Sequence, residues 1–266
     1  MFFLAIIIFA ITGIFAGFFG GLLGIGGGLI AVPVLLLTFH LLGFSATNAM
    51  QVAVGTSLGA MVFTAASSAW AHYRQQGVNW HLFRLLIAGV AAGAILGALI
   101  ADLLPSQKLA FIFGVFVFFI GVYFLLPTEK LEQPGELRPP HFFIMFTIGV
   151  IIGVISSILG IGGGIITVPI LTAFRTPLRN AISTSAVIGF FIALIGAISF
   201  LFLGLKQPTF TYSIGYLYVP AFIFIGLTSS LAAPYGAKLA YTLPTHVLRR
   251  IFGVALILVG FLMIDP

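Results

Sequence analysis

The chain has 266 residues, of which 61% are hydrophobic and only 6% are charged. A soluble globular domain contains about 45–50% apolar and about 25% charged residues, so the composition excludes that class of protein. The net charge of +6 indicates the basic cytoplasmic loops of a membrane protein rather than a nucleic-acid-binding surface, and the absence of cysteine excludes disulfides and thiolate metal sites.

Ten apolar segments follow each other along the chain, separated by short polar stretches. A transmembrane helix needs about 20 apolar residues, and all the segments except the second and the seventh reach or approach this length. We predict membrane segments at residues 2–22, 29–42, 47–71, 82–104, 108–127, 141–159, 165–174, 180–204, 212–234 and 246–264.

The sequence repeats itself at an offset of 136 residues. Residues 20–35 read GGLLGIGGGLIAVPVL and residues 156–171 read SSILGIGGGIITVPIL, with ten of the 16 positions identical. We predict a first transmembrane repeat at 1–127, a polar linker at 128–140 and a second repeat at 141–266. An odd number of crossings in each repeat inverts one relative to the other. The predicted fold is therefore an all-α polytopic membrane protein with two inverted repeats of about five membrane segments each and broken half-helices after the GIGGG motifs.

Pro33 and Pro169 follow the glycine runs, and because proline lacks a main-chain N–H we predict that each begins a new half-helix. If all ten segments cross the membrane, Lys108 and Lys206 lie on one side and the other nine basic residues on the opposite side. If the two short segments are re-entrant, the basic residues divide five against six. The positive-inside rule favours ten crossings with both termini outside, in the periplasm.

The glycine runs predict an anion-binding site. Consecutive glycines allow positive φ angles, and beside the N-terminus of a half-helix the exposed N–H groups attract an anion. Irregular backbone at membrane depth is tolerated where it lines a cavity or is buried in protein. The alternative is that the glycines only permit close helix contact. The candidate substrate-binding glycines are Gly24, Gly26, Gly27, Gly28, Gly160, Gly162, Gly163 and Gly164.

An asparagine and a Thr-Ser pair follow each glycine run. The asparagine precedes the threonine by eight residues in the first copy and by four in the second, and both spacings put amide and hydroxyl on one helical face. Such hydroxyls can donate hydrogen bonds to an oxyanion; alternatively they bond to carbonyls of their own helix. The candidates are Asn48, Thr56 and Ser57 in the first half and Asn180, Thr184 and Ser185 in the second.

The paired GIGGG…VP motifs, each followed by an N-A…T-S segment, resemble the TauE/SafE sulfite exporter family over essentially the whole chain, and its YfcA-like bacterial inner-membrane members in particular. The resemblance implies a multi-pass inner-membrane transporter that exports sulfite, sulfoacetate or related organosulfonates. Two alternatives are a membrane-embedded enzyme acting on a phosphorylated lipid and a passive anion channel. The enzyme is disfavoured because the spans offer hydroxyls, amides and histidines near helix ends but no metal site or carboxylate.

No cofactor or metal is predicted, because the histidines are dispersed without metal-ligand spacing. Cation coupling is disfavoured, since the acidic residues fall in loops or at span ends. If protons are coupled, either His40 or His72 carries them or the anion itself travels protonated. Both histidines lie near segment ends, where anchoring at the membrane interface is the expected role. The expected partners are a small anion and the lipid bilayer, with no nucleic acid. The acidic residues are Asp102, Glu129, Glu132, Glu136 and Asp265.

Overall fold

The computed structural model describes residues 2–23, 26–126, 141–207, 210–239 and 245–264. These residues form ten α-helices, a 3-10 turn at Ala46–Asn48 and a two-stranded antiparallel hairpin, β1 (Ser213–Ile214) and β2 (Leu217–Tyr218). The helices are α1 (Phe2–Leu23), α2 (Gly28–Leu41), α3 (Ala49–Arg74), α4 (Trp80–Leu103), α5 (Ser106–Leu125), α6 (Phe142–Leu159), α7 (Gly164–Ala173), α8 (Leu178–Gly204), α9 (Val219–Leu239) and α10 (Thr245–Ile264).

The helices confirm the predicted all-α polytopic membrane architecture. Seven helices of the described residues are long and apolar enough to cross a membrane, and the shorter apolar helices are Gly28–Leu41, Gly164–Ala173 and the part of α10 from Gly253 to Ile264. Large apolar side chains such as Phe3, Phe119 and Phe143 are exposed on the outer helix faces. A soluble monomer rarely exposes such a surface, whereas a bilayer covers it with lipid tails.

Glycines join the two halves of the chain through close helix packing. The row Gly13, Gly17 and Gly21 of α1 lies against Ile225, Ser229 and Ala233 of α9, so closely that a Cβ atom at any of the three would collide with a main-chain carbonyl oxygen. Glycines of α4 pack in the same way against α6. The first helix of each half thus packs on the fourth helix of the other half, with small residues at the interface as is typical of membrane helices.

The residues that meet between helices give the chain directions in the first half. Gly13 lies against Ile225 and Gly21 against Ala233, so α1 and α9 run parallel. Gly59 lies against Phe222, and Ser67 donates a hydrogen bond to the carbonyl oxygen of Ser230, so α3 also runs parallel to α9. Because α1 and α3 point the same way, the glycine run and α2 between them carry the chain back along the bundle.

The second half behaves in the same way. Contacts of Gly89 with Phe146 and of Gly97 with Val154 make α4 and α6 parallel. Contacts of Asn79 with Thr184 and of Phe83 with Phe191 make α4 and α8 parallel, so α7 returns the chain between α6 and α8.

The matching helices α3 and α8 run in opposite directions, as do α5 and α10. The start of α3 meets the end of α8 where Gly55 lies against Phe200, and Gly77, just beyond the end of α3, lies against Ser183 near the start of α8. In the other pair Gly114 contacts Gly260 while Gly121 contacts Gly253.

The prediction that Pro33 and Pro169 begin half-helices is wrong. The helices α2 and α7 begin at Gly28 and Gly164, and each proline lies inside its helix. The breaks come earlier because Gly27 and Gly163, at φ angles of 80° and 71°, adopt the left-handed conformation that interrupts a right-handed helix. A proline in the second turn then removes only one helical hydrogen bond.

The predicted ninth segment at 212–234 also differs from the structure. Residues 213–218 form the β-hairpin, in which Gly215 has a φ angle of 57°, and α9 begins only at Val219. A positive φ at the turn is incompatible with a continuous helix, so the apolar run divides there.

Candidate functional site

The two glycine runs meet at the middle of the bundle. Gly26 and Gly162 hold the same position in the two GIGGG motifs, and a Cβ atom on Gly26 would lie 3.0 Å from the α-carbon of Gly162. Gly162 also lies against α8, where its carbonyl oxygen is 2.5 Å from the position of a Cβ atom on Gly189. Side chains are absent where main chains of the two halves come together, as the glycine-rich sequence requires.

A small cavity of about 10 Å³, measured as the space open to the centre of a water molecule, lies at this meeting point. That space holds about one water molecule, so in this conformation the cavity is too small for an oxyanion. Its lining residues are Gly20, Gly26, Thr64, Ala65, Ser68, Gly162, Ala186 and Gly189.

Two helices begin beside the cavity. At the start of α2, the N–H groups of Ile30 and Ala31 donate to the carbonyl oxygen of Gly27. At the start of α7, the carbonyl oxygen of Gly163 accepts the corresponding hydrogen bonds. The N–H groups that precede them have no partner within their own helix, because the first turn of any α-helix leaves its donors free. With 14 and 10 residues, α2 and α7 extend about 21 and 15 Å, roughly half to two thirds of a bilayer core of about 30 Å.

The polar side chains that line the cavity, Thr64 and Ser68, come from α3. Ser68 is 5% exposed, and among the described residues its buried hydroxyl has no hydrogen-bond partner. One turn earlier, Thr64 shares a hydrogen bond with Ser229, and both hydroxyls are buried. The residues that line the cavity are glycine, alanine, serine and threonine only, so its donors are uncharged.

The other predicted glycines pack against protein. A Cβ atom on Gly28 would collide with the carbonyl oxygen of Gly160, and one on Gly27 would lie 2.5 Å from the carbonyl oxygen of Ala16. Gly160 caps the end of α6 in the left-handed conformation and accepts a 3.1 Å hydrogen bond from Ser57. Gly163 and Gly164 form the start of α7. The prediction for Gly24 lies outside the described residues.

The predicted hydroxyls of α3 and α8 are bonded elsewhere. Thr56 accepts a 2.9 Å hydrogen bond from the N–H of Tyr218, and Thr184 accepts one of the same length from the N–H of Asn79. Ser185 donates to the carbonyl of Ile182 in its own helix, as the alternative interpretation expected.

The two predicted asparagines lie near the ends of these helices. Asn180 donates its amide to the carbonyl of Gly77, and Asn48 precedes α3, about 24 Å along the helix from Thr64. Neither asparagine lines the cavity, and nor do Thr56, Ser57, Thr184 and Ser185.

Thr64, Ser68 and the partner of Thr64, Ser229, are not among the residues predicted from the sequence. The signal for the first two is a four-residue spacing that puts both hydroxyls on one face of α3. Ser229 gives no such signal, since only the packing of α9 on α3 brings it to Thr64.

The two candidate proton carriers have different surroundings. His40 is exposed at the end of α2 and bonds to the carbonyl of Leu36, which is compatible with anchoring at an interface. His72 is buried one turn beyond Ser68, and its ring nitrogen Nδ1 lies 3.4 Å from the hydroxyl of Ser183.

Comparison with known proteins identifies the family of this chain. The model of the family described as sulfite exporter TauE/SafE matches residues 9–263. The chain belongs to the TauE/SafE family. It is 32% identical over 259 residues to a probable membrane transporter protein of Haemophilus influenzae, and the match covers 97% of each chain.

More distant relatives agree with this assignment. A probable membrane transporter protein of Methanocaldococcus jannaschii is 27% identical, over 96% of this chain and 93% of the relative. The probable membrane transporter protein YunE of Bacillus subtilis is 26% identical, over 97% and 96% of the two chains. No solved structure matches the chain. The TauE/SafE protein described here is thus a multi-pass member of a membrane transporter family, not an enzyme.

Proposed function

We propose that this TauE/SafE protein exports a small sulfur-containing oxyanion, such as sulfite or an organosulfonate, across the bacterial inner membrane. The anion binds in the central cavity to main-chain N–H groups of the two glycine runs. The observation that carries this proposal is the contact between Gly26 and Gly162, because it brings the N-termini of α2 and α7 close to one small space between the halves. The sulfur chemistry of the substrate comes from the family description.

Main-chain donors suit this task because they are fixed before the anion arrives. Gly26 and Gly27 in the first run and Gly163 in the second adopt positive φ angles, and because glycine has no side chain the main-chain N–H groups of the runs are left accessible to a ligand. The dipoles of α2 and α7 add partial positive charge at the same point. In this proposal the remaining predicted glycines shape the runs, while Gly26 and Gly162 face the anion.

The directions of the helices support transport by alternating access. The helix α3 runs antiparallel to its counterpart α8, and α5 runs antiparallel to α10, as two inverted repeats require. Such repeats can rock against each other around a central site. The cavity has room for about one water molecule, so an anion enters only when the halves separate at one face.

We further propose that both termini lie in the periplasm. Arg74 at the end of α3 and Arg179 at the start of α8 lie at the same end of the bundle, because Gly77 contacts Ser183 there. Lys206 follows the other end of α8. The end with Arg74 and Arg179 is the cytoplasmic one under the positive-inside rule.

Flux measurements on purified protein in proteoliposomes test the proposal. We expect saturable flux of sulfite and of a simple sulfonate, with phosphate at the same concentration transported much less. Flux that rises in proportion to concentration without saturating indicates a channel and contradicts the carrier. If no anion moves and a phosphorylated lipid is hydrolysed instead, the transporter proposal fails altogether.

A further inference from the structure

We propose that the cavity selects singly charged anions and that the hydroxyl of Ser68 is a specificity-determining donor. This inference rests on the proposed function and narrows its substrate class to bisulfite and monosulfonates. Sulfite dianion, sulfoacetate, which carries two charges, and other dianions are excluded.

The hydroxyl of Ser68 lacks a partner at the place where an anion would bind. Ser68 lines the cavity between the glycine runs, is buried, and has no hydrogen-bond partner among the described residues. Buried hydroxyls in proteins are normally hydrogen-bonded, so an unpaired one in a cavity points to a bound ligand or water. The neighbouring Thr64 is already bonded to Ser229, which leaves Ser68 as the free side-chain donor on this wall.

The charge that the cavity offers matches a single negative charge. Each helix N-terminus contributes about half an elementary charge, so α2 and α7 together provide about one. The lining residues contain no charged side chain that could add to it. The free energy needed to remove an ion from water grows with the square of its charge. A dianion entering the cavity therefore loses far more hydration free energy than its interactions with these donors provide.

Two sulfonates whose charge does not change with pH distinguish transport of singly charged anions from transport of dianions. We expect saturable proteoliposome flux of methanesulfonate, which carries one charge, and at least a ten-fold lower flux of ethane-1,2-disulfonate, which carries two. Sulfite flux rises as the pH falls and bisulfite replaces the dianion, while methanesulfonate flux stays constant over the same range. A change in methanesulfonate flux with pH would assign the effect to a protein group such as His72.

The outcomes for the two proposals are distinct. Equal flux of the monosulfonate and the disulfonate overturns charge selection but leaves oxyanion transport intact. If neither sulfonate is transported and sulfite is not transported either, the proposed function itself is wrong.

Ser68→Ala tests the donor, with Ser67→Ala as the matched control on the same helix. Ser67 is absent from the cavity lining and bonds to the carbonyl of Ser230. We expect the KM for methanesulfonate to rise about ten-fold in Ser68→Ala, the effect of one hydrogen bond to a charged group, and to stay unchanged in Ser67→Ala. Ser68→Thr keeps the hydroxyl and should restore part of the affinity. An unchanged KM in Ser68→Ala refutes the role of Ser68.

A second inference comes from hydrogen bonds outside the cavity. Thr56 of α3 accepts from the N–H of Tyr218, the residue just before α9, and Thr184 of α8 accepts from the N–H of Asn79, the residue just before α4. Each bond joins the third helix of one half to the start of the fourth helix of the other. Because α3 and α8 are antiparallel, one bond lies toward each end of the bundle.

We infer that these two bonds, which we name the Thr56 latch and the Thr184 latch, close the two entrances of the cavity in turn. The hairpin near Thr56 packs Tyr216 against Gly55, and the loop before α4 packs Gly77 against Ser183, so each latch holds a connecting loop between α3 and α8. Both latches are formed in the structure, in which the cavity has room for only about one water molecule.

The absence of cysteine from the chain makes the test direct, because Ala65→Cys provides a single reporter in the cavity lining. We expect Thr56→Val to expose this thiol to a membrane-impermeant reagent from the hairpin side only, and Thr184→Val from the opposite side only. Thr147→Val is the control, since Thr147 bonds only within α6. Thr56→Ser and Thr184→Ser retain the acceptor oxygen and should leave the thiol protected. Exposure from the same side in both valine variants, or in neither, overturns the inference.

Discussion

Gly26 of the first half lies against Gly162 of the second, and the two residues occupy the same position of the repeated motif. When equivalent positions of two repeats touch, their contact lies on the axis that relates the repeats. The cavity beside them therefore lies between the two halves, and its lining includes Gly26 from the first half and Gly162 from the second. The hydroxyl donors of the lining, Thr64 and Ser68, both come from α3 of the first half, so the two sides of the site are not equivalent.

A side chain at Gly26 should stop transport without preventing insertion. In Gly26→Asn the new side chain would meet Met61 and Gly162, whereas in the control Gly43→Asn it would meet no other group within 4 Å. The φ angles of 77° and 73° are closely matched, and asparagine tolerates this region better than most residues, so backbone strain is the same in both variants. Methanesulfonate flux in proteoliposomes should be lost in the first variant and retained in the second. Retained flux in Gly26→Asn would show that the run does not contact the substrate.

The helix contact through Gly17 should be essential for folding. A side chain there would collide with the main chain of Ser229, and unlike a flexible side chain the backbone of α9 cannot move aside. We expect Gly17→Leu to lower the thermal unfolding temperature in detergent or to prevent accumulation in the membrane. The control is Ala10→Leu on the less buried surface of the same helix, which should behave like the unmodified protein.

Tyr216 and Asp102 form a 2.7 Å hydrogen bond between the hairpin and the end of α4. Since the acceptor carries a charge, a double-mutant cycle with Tyr216→Phe and Asp102→Asn should give a coupling free energy of about 1.5–3 kcal/mol. A value near zero would mean that the hairpin is held by packing alone.

Burial first, and then the bond to Asp102, raise the pKa of Tyr216 above the ordinary value of 10.0. The tyrosine therefore stays protonated in the folded protein at pH values where it ionises in the unfolded chain. Its contribution to stability is complete below pH about 10 and is lost as the pH rises above that value. The free energy of unfolding should fall less steeply in alkaline solution for Tyr216→Phe than for the unmodified protein.

A reporter tag at the C-terminus tests the proposed orientation. We expect it to lie in the periplasm, because ten crossings leave both termini on the side that is poor in lysine and arginine. Adding several lysines to the loop around Lys206 should weaken this preference, whereas the same addition near Arg74 should not. A cytoplasmic tag on the unmodified chain would contradict the proposed orientation.

The membrane segments of this protein can be predicted from its sequence because, in a membrane, the local composition of a segment determines whether it can form a spanning helix. A helix in lipid must satisfy its own hydrogen bonds and be apolar over its full length, so the ten segments follow from the run of residues alone. The family resemblance and the importance of the glycine runs were equally local, since only glycine adopts the angles seen at Gly27 and Gly163 without strain.

Tertiary structure decided which polar groups face the cavity. Thr56 and Thr184 follow the glycine runs in the sequence, yet they bond to Tyr218 and Asn79, whereas Ser68 and Thr64 line the cavity. Which hydroxyls face the cavity depends on the rotation of α3 and α8 about their axes and on the angles at which they cross their neighbours. Packing between the halves sets both, through contacts between residues more than 100 positions apart in the sequence. The periodicity of a helix tells which residues share a face, but only the neighbouring helices determine what that face meets.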